Sequence, residues 1–518
     1  MILKNQILSK GYDMTKILAF DLGTGGNKAA LFDMDGRCVA TAFVAYDTLY
    51  PRPQWHEQRP ADWWDATVKS TRLLLRETGV PVEEIAGIAV SGHSLGIVQL
   101  NTSGRLLRET MPIWSDSRAV DEAADFFKMI DPDKWYLTTG AGFPASHYSV
   151  FKLLWLQQHE PELFAKTAYV IGTKDYINYR LTGVIATDYS YASGTGVYDL
   201  EQWGYDESLI ETAGLPREIF PDICPSTEVL GSLTATAAAE LGLSEKTQVV
   251  AGGVDNSCMA AGAGAFRSGR CYASLGSSSW IAVSDSMPIV DLRLKPYVFA
   301  HVVPGQFASA LAIFSSGTTF RWLRDTICHD LRSESERTGI NIYELMIRQS
   351  VNAPIGANCL MMNPSLAGGS SLDPTPKIRG AFLGLDLSHT QSDMIRAVME
   401  GIAMNMRCVL DALRNLTAIS NSMAVVGGGA ISPFWRQIYA DALNIAILKT
   451  NIDQNAAALG AAALAAIGTN LWDSFDRIDT AHCDEEWTRP INENVVQYDL
   501  LLQRFLIARE FLGRFADL

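Results

Sequence analysis

The sequence predicts an α/β protein of two domains facing each other across a cleft, and three observations predict it. The chain has 518 residues, more than one core usually holds, since single hydrophobic cores stop growing at about 250–300 residues. A strand–turn–strand unit opens the chain, and a related unit recurs about half a chain later. No low-complexity linker separates the halves, so they are expected to pack around a cleft of the kind where small-molecule sites form.

The first unit begins with the apolar run Lys16 to Phe20, which enters Asp21-Leu22-Gly23-Thr24-Gly25-Gly26. Lys28 to Phe32 follows, then the turn Asp33-Met34-Asp35-Gly36 and the run Val39 to Val44. Strand, Gly-rich turn, strand, Asp-Gly turn, strand is an antiparallel meander. Trp63 to Glu77 has helical spacing, and Ile85 to Val90 is a β-rich run entering Ser91-Gly92. The second unit is Arg270 to Leu275, the turn Gly276-Ser277-Ser278-Ser279, and Trp280 to Val283. Two such units suggest two domains of one ancestral architecture, although a single short match is thin ground for duplication.

The boundary falls near residues 245–250, before the buried-looking strand Gln248 to Gly252. This gives domains over 15–246 and 247–518. Residues 1–14 read as an N-terminal extension, with Met14 as a natural start. Helical patterns then run over Gln391 to Arg414, Ser432 to Leu443, Ala456 to Ile467 and Tyr498 to Phe515, with Ser388 and Gln391 spaced as a capping box.

Composition narrows the function. A net charge of −15 argues against a surface that tracks phosphates along nucleic acid. No run approaches the ~18 apolar residues of a membrane span, so no membrane association is expected. Residues 1–13 lack the long apolar core of a signal peptide. The eight cysteines include no C-x-x-C pair and read as reduced thiols of a cytoplasmic protein.

Four Gly-rich turns follow β-type runs: Asp21–Gly26, Gly252–Asn256, Gly276–Ser279 and Gly427–Ser432. None is a P-loop or a G-x-G-x-x-G turn opening a helix. Aimed together at one cleft, their N–H groups and the hydroxyls of Thr24, Ser277 and Ser278 can wrap a polyphosphate without a large basic patch. Asp21, at a strand end before Gly-Thr-Gly-Gly, suits a carboxylate holding Mg²⁺. Asp255 suits the base that a phosphoryl-accepting hydroxyl needs. Taken alone, either acid also reads as a helix cap or turn former.

As an ordered set, these segments resemble the FGGY carbohydrate kinases, and within them the xylulokinase-like group. The opening Asp21-Leu22-Gly23-Thr24-Gly25-Gly26-Asn27-Lys28 is similar to the family's phosphate-binding turn. Trp55-His56-Glu57-Gln58 with Trp63-Trp64, and Trp114-Ser115-Asp116-Ser117-Arg118, resemble W-x-E-Q…W-W and the sugar-site W-x-D-x-R. Lys174-Asp175-Tyr176 and Thr187-Asp188-Tyr189-Ser190 match as well. Gly252-Gly253-Val254-Asp255-Asn256 resembles the catalytic G-G-x-D-N, Ser274-Leu275-Gly276-Ser277-Ser278 resembles S-L-G-T-S, and Gly427-Gly428-Gly429-Ala430 the adenosine-binding G-G-G-A. Ala458-Leu459-Gly460-Ala461 matches the helix that follows.

The resemblance implies two actin-like, ribonuclease-H-type domains closing over ATP, Mg²⁺ and a small sugar. It places the sugar and phosphate side in the first domain, and the base and adenosine side in the second. It implies Asp255 as base, with Asp21 and Asp255 near the metal. The sugar site would use His93, Ser94, Leu95, Trp114, Asp116, Asp255 and Asn256. The ATP site would use Thr24, Gly25, Gly26, Asn27, Lys28, Gly276, Ser277, Ser278, Gly428, Gly429 and Ala430. The family also leans toward homodimers.

Two segments depart from the pattern. Where the group carries Gln-Met-His-Gly, this chain has His93-Ser94-Leu95-Gly96, so Leu95 occupies the histidine position. His93 either compensates from two places earlier or is a structural histidine. Gly368-Gly369-Ser370-Ser371-Leu372-Asp373-Pro374 stands where a Gly-Glu-Arg-x-Pro run is usual. The acceptor is therefore D-xylulose or a related ketopentose, or else another pentulose or a polyol. A non-catalytic actin-like switch or scaffold is the reading from a different class, and Asp255 beside Asn256 disfavours it.

Overall fold

The computed structural model describes residues 15–483 and 486–518, so the expected extension over 1–14 lies outside the described residues. The first half runs β1 (Lys16–Gly23), β2 (Gly26–Phe32), β3 (Cys38–Ala45), α1 (Pro60–Thr78), β4 (Ile85–Gly92), α2 (Ser149–His159), α3 (Thr173–Thr182), β5 (Val229–Ser232), β6 (Gln248–Val254) and α4 (Asp255–Gly262). The second half runs β7 (Cys271–Leu275), β8 (Ser279–Asp285), β9 (Tyr297–Ala300), β10 (Phe307–Ile313), α5 (Gly317–Thr326), α6 (Ile342–Ser350) and α7 (Gln391–Arg414). It ends with β11 (Ser422–Val426), α8 (Pro433–Leu443), β12 (Ala446–Lys449), α9 (Ala456–Gly468), β13 (Glu486–Thr488) and α10 (Asn492–Ala516).

Two sheets form, ordered β5-β6-β4-β1-β2-β3 and β9-β10-β8-β7-β11-β12-β13. In the first, β1 and β3 pair antiparallel with β2, while β4 lies parallel to β1 and β6 parallel to β4. The second repeats this plan, with the meander β7, β8, β10 and the parallel strands β11 and β12. The repeated topology is the actin-like, ribonuclease-H-type arrangement, and it extends the single strand–turn–strand match seen in the sequence to five strands of each sheet.

Two expectations are corrected. The run 248–254 does not open the second domain. It pairs with β4 inside the first sheet, so a boundary near 245–250 comes too early. A fully apolar strand looks the same from either sheet, and only its pairing decides. The long helix α7 is capped by Thr390 and not Ser388: Thr390 N–H and Oγ1 both donate to Asp393 Oδ2, at 2.8 and 2.7 Å.

The two sheets share one core. Ile17, Ala19 and Ala89 of the first sheet and Tyr272, Ala282 and Ala308 of the second belong to a single buried cluster, with α4 and α9 inside it. Helix α9 is alanine-rich and apolar on every side, as a helix covered all round must be. The two helices touch through glycines. A Cβ at Gly262 would lie 1.8 Å from the Ala456 carbonyl oxygen, and one at Gly460 would lie 2.0 Å from that of Cys258. Polar bonds also join the halves: Lys28 Nζ donates to the Gln454 carbonyl at 2.6 Å, and Trp472 Nε1 to that of Met34 at 3.0 Å.

The helix contact has no room for a methyl group, and overpacking of this kind costs roughly 1–3 kcal/mol. Gly460→Ala should therefore lower the thermal unfolding midpoint measured by calorimetry. An unchanged midpoint would contradict the packing described.

Candidate active site

Parallel strands gather their carboxyl ends at one edge, where α/β sheets place ligands. The register puts Asp21 of β1 and Gly253 of β6 on either side of Ser91 of β4. Asp255 follows two residues later as the first residue of α4, so the two acids meet at one rim. Asp21 accepts from Ser91 Oγ at 3.5 Å and lies 3.9 Å from Lys28 Nζ. Burial raises its pKa, and Lys28 and the Ser91 bond counter part of the rise. Burial pushes the Asp255 carboxyl up to about 7; the Asn256 N–H bond opposes this and the charge of Asp21 adds to it.

What aims Asp255 is a break in the β6 ladder. Pairing with β4 shifts register between Val250 and Gly253, and Gly252 takes φ 71 with its missing Cβ only 2.2 Å from the Val90 carbonyl oxygen. Only glycine suits that conformation and that contact. The freed Ala251 carbonyl accepts from Asn178 Nδ2 at 2.7 Å and Lys174 Nζ at 3.4 Å, while Val254 N–H donates to Ser190 Oγ at 2.9 Å. Lys174 is buried between Asp175 and Asp188, the latter 2.9 Å away. Burial disfavours its charge, but the two carboxylates outweigh burial and hold its pKa above the usual lysine range. Sequence reasoning matched these two motifs without finding their task, which is to hold the strand that presents Asp255.

On the second domain, Leu275 at the end of β7 and Gly276 after it adjoin Gly427 and Gly428 after β11, because Ser274 pairs with Val426. Gly427 has φ 94, and a Cβ there would lie 2.9 Å from the Leu275 carbonyl oxygen. Beside these turns lies a cavity of about 890 Å³, lined by Gly276, Ser277, Gly428 and Gly429 together with Phe320, Tyr343 and Phe434. The 276–279 turn is latched to α5: Gly317 N–H donates to the Gly276 carbonyl and Thr318 N–H to that of Ser277. Ser278 sits in that turn. Ala430 does not line the cavity, since its side chain is fully buried in the core.

Several expected ligands are committed elsewhere. Asn27 is a correction: its side chain turns into the core, donating to Ser70 Oγ of α1 at 3.0 Å, because strand alternation points it away from Lys28. Asp116 is another. Its carboxylate is taken by Arg118 Nε and Nη2, at 2.9 and 2.7 Å, and by the His56 N–H at 2.8 Å. Arg118 also reaches Glu57 at 2.6 Å and lies over the Trp55 ring at 3.8 Å. The W-H-E-Q and W-x-D-x-R segments are thus one buried clamp, which leaves Trp114 exposed and donating to Thr24 Oγ1 at 2.9 Å. Gln58 completes it by donating to the Thr24 carbonyl at 2.7 Å. Thr24 and Gly25 are exposed at the turn tip, whereas Gly26 is buried with its missing Cβ 2.5 Å from the Phe43 ring.

The departing segment is also buried. His93 is 2% exposed, bonded to Thr173 Oγ1 at 3.1 Å and edge-on to Trp63. Burial lowers its pKa to about 3, so the ring is neutral. This burial and its bond to Thr173 favour the structural reading of His93. Ser94 and Leu95 are buried too, and the Leu95 side chain joins an apolar cluster. Leu95 has φ 60, and its carbonyl accepts from Lys152 Nζ at 3.0 Å and Ser149 Oγ at 3.2 Å. Burial lowers the Lys152 pKa to about 7. No sequence signal marked that lysine, which lies on α2, 57 positions along the chain from Leu95.

Two ribonuclease-H-type domains, one with an acid pair at its strand ends and the other with a Gly-lined cavity beside its own, define the actin-like class of nucleotide-dependent proteins. Residues 16–262 match the N-terminal domain, and residues 271–469 the C-terminal domain, of the FGGY family of carbohydrate kinases; the chain belongs to that family and is a sugar kinase. It is 30% identical over 503 residues to the xylulose kinase of Bacillus subtilis, covering 95% of this chain and 96% of that protein. It is 26% identical to the gluconokinase of the same organism, covering 95% and 94%. The crystal structure of xylulose kinase from Rhodospirillum rubrum superposes with a TM-score of 0.86 at 29% identity, covering 97% of this chain and all of that one.

Removing one partner of a buried ion pair typically costs 3–5 kcal/mol. Asp116→Asn should accordingly lower the unfolding midpoint, and His93→Gln should do so to a smaller degree. For His93→Gln the sugar KM should change by less than about threefold, because no uniform binding contact is lost. A large rise in KM with an unchanged midpoint would return His93 to the sugar site.

Proposed function

We propose that this chain transfers the γ-phosphoryl group of ATP to a hydroxyl of a ketopentose such as D-xylulose, with Asp255 as the general base. The observation that carries this reading is Asp255 itself, a half-buried carboxyl at the head of α4 whose pKa is pushed up to about 7. A base titrating near neutrality is matched to taking a proton from an alcohol at working pH. Asp255 accepts the hydroxyl proton, the alcohol oxygen forms the new bond to the γ-phosphorus, and the bond to the ADP oxygen breaks.

In this reading the adenosine occupies the cavity beside Gly428 and Gly429. Gly276, Ser277 and Ser278 meet the phosphates from the second domain, and Thr24, Gly25 and Lys28 meet them from the first. Trp114 and Asn256 flank the sugar. Asp21 and Asp255 repel each other across the rim, and a divalent cation would offset that repulsion. Mg²⁺ generally binds through one or two carboxylates plus substrate phosphates, which fits a site with no larger cluster of ligating side chains among the described residues. Held by these acids, it would neutralise charge on the phosphates.

A second acceptor class is favoured by one observation: Leu95, not an imidazole, stands at the histidine position and turns into the core. The acceptor would then be another pentulose, a polyol or a sugar acid. The switch or scaffold reading falls away with membership of a kinase family.

ADP release should be measured against ketopentoses, aldoses, polyols and gluconate, and the acceptor is the one with the largest kcat/KM. With it, Asp255→Asn should lower kcat by about 10²–10⁴-fold. Undiminished sugar-dependent turnover in that variant would make the base assignment wrong. Because Asp255 works deprotonated, kcat/KM should fall tenfold per pH unit below about 7 and level off above it. A profile flat from pH 5 to 8 would remove the raised carboxyl from the mechanism.

A further inference from the structure

Several polar side chains expected to meet the sugar are committed to the protein itself. Asp116 is held by Arg118, His93 is held by Thr173, and Leu95 has no polar side chain to offer. Another histidine lies beside that gap. His147 ends a short 3₁₀ turn, Ala145–His147, which leads into α2.

Three hydrogen bonds gather this segment onto Leu95. Lys152 Nζ and Ser149 Oγ donate to the Leu95 carbonyl at 3.0 and 3.2 Å, and Lys152 Nζ donates to the His147 carbonyl as well. One buried amino group therefore ties the backbone of His147 to the residue that stands at the lost histidine position. Tyr148, the next residue, shares a buried cluster with Leu95 and with Val254, which immediately precedes Asp255.

The His147 ring is only half-buried, and half of its bonding capacity is used. Nδ1 donates to the Pro144 carbonyl at 3.3 Å. That bond sets the tautomer and leaves Nε2 as an acceptor with no protein partner among the described residues. Burial and the charge of Lys152 lower the pKa to about 4 against the pull of Asp116, so the ring is neutral. The charges of Asp116 and His56 both reach it. Those two residues belong to the clamp that leaves Trp114 exposed, the His56 N–H bonding Asp116 and its ring bonding Ser115 Oγ. A neutral imidazole nitrogen thus stands between the Leu95 turn and the Trp114 clamp.

We propose that His147 is a specificity-determining residue of the sugar site, its Nε2 accepting a hydrogen bond from an acceptor hydroxyl in place of the histidine lost at Leu95. The contact comes from a different backbone position, so it selects where on the acceptor that hydroxyl must lie. A site built to bond a hydroxyl rejects an analogue without it, because a polar group is then left unpaired.

The inference rests on the sugar-kinase reading of the site, and its test uses whichever acceptor gives the largest kcat/KM in ADP release. His147→Phe keeps a ring and removes the acceptor atom, whereas His147→Gln keeps an acceptor at similar reach. His147→Phe should raise the KM for the sugar about tenfold with a much smaller change in kcat, as loss of a uniform binding contact does. His147→Gln should recover most of that loss. The KM for ATP and the thermal unfolding midpoint should hold in both variants. Among deoxy analogues of the acceptor, the wild type should discriminate against one in particular, and His147→Phe should no longer do so. A sugar KM that ignores His147→Phe overturns the proposal. So does an equal rise in both variants, which would make the contact one of shape, or a rise that comes with a lowered midpoint, which would make it structural. Turnover that is lost in Asp255→Asn but indifferent to His147→Phe overturns the role of His147 alone. A wild-type protein that phosphorylates no sugar, polyol or gluconate removes the reading of the site, and the role of His147 falls with it.

Discussion

The contact between Gly262 of α4 and Gly460 of α9 is the constraint on which the rest of the molecule depends. Two helices cross with no side chain between them, and each rests on a different part of the shared core. Because α4 begins at Asp255, the crossing fixes the direction in which that carboxyl leaves the sheet. Because α9 follows the segment that receives Lys28, it also fixes the distance across the cleft. Close packing at small residues transmits position well, since cores resist continuous deformation.

Around this crossing, buried charge does the work of holding loops. Lys174 between two aspartates anchors the carbonyl freed by the bulge in β6. Arg118 between Asp116 and Glu57 braces the segment that presents Trp114. Such clusters contribute little to net stability compared with apolar residues of equal volume. Their contribution here is geometric: each satisfies backbone groups that an irregular strand end leaves without a ladder partner.

Much of the fold was legible because strand alternation and Gly-rich turns are local. The meanders, Asp21 and Asp255 at strand ends, and the Gly276 and Gly428 turns all follow from patterns a few residues long. What was not legible depended on partners distant in sequence. The β6 strand could be given to either sheet until its pairing with β4 was known. Asp116 read as a sugar ligand because its motif resembles the family's sugar-site segment, yet a carboxylate two positions from an arginine is readily consumed by it. Asn27 and Ala430 lay inside binding motifs but on the inward side of their backbones. Lys152 gave no signal, since a lone lysine on a helix usually faces water.

The position of α9 also bears on how the protein is made. Residues 456–468 cover the face of the first sheet that carries Ile17, Ala19 and Ala89, and Gly87 leaves only 2.9 Å between its missing Cβ and Thr469. During synthesis that face stays wet until its cover has followed it off the ribosome, since the two lie far apart in the chain. The first sheet therefore emerges with one flank open, and that flank closes only once residues 456–468 are available. Completion of the early half waits on the late half, a long-range closure that slows folding and ties the integrity of the first sheet to the helix over 456–468.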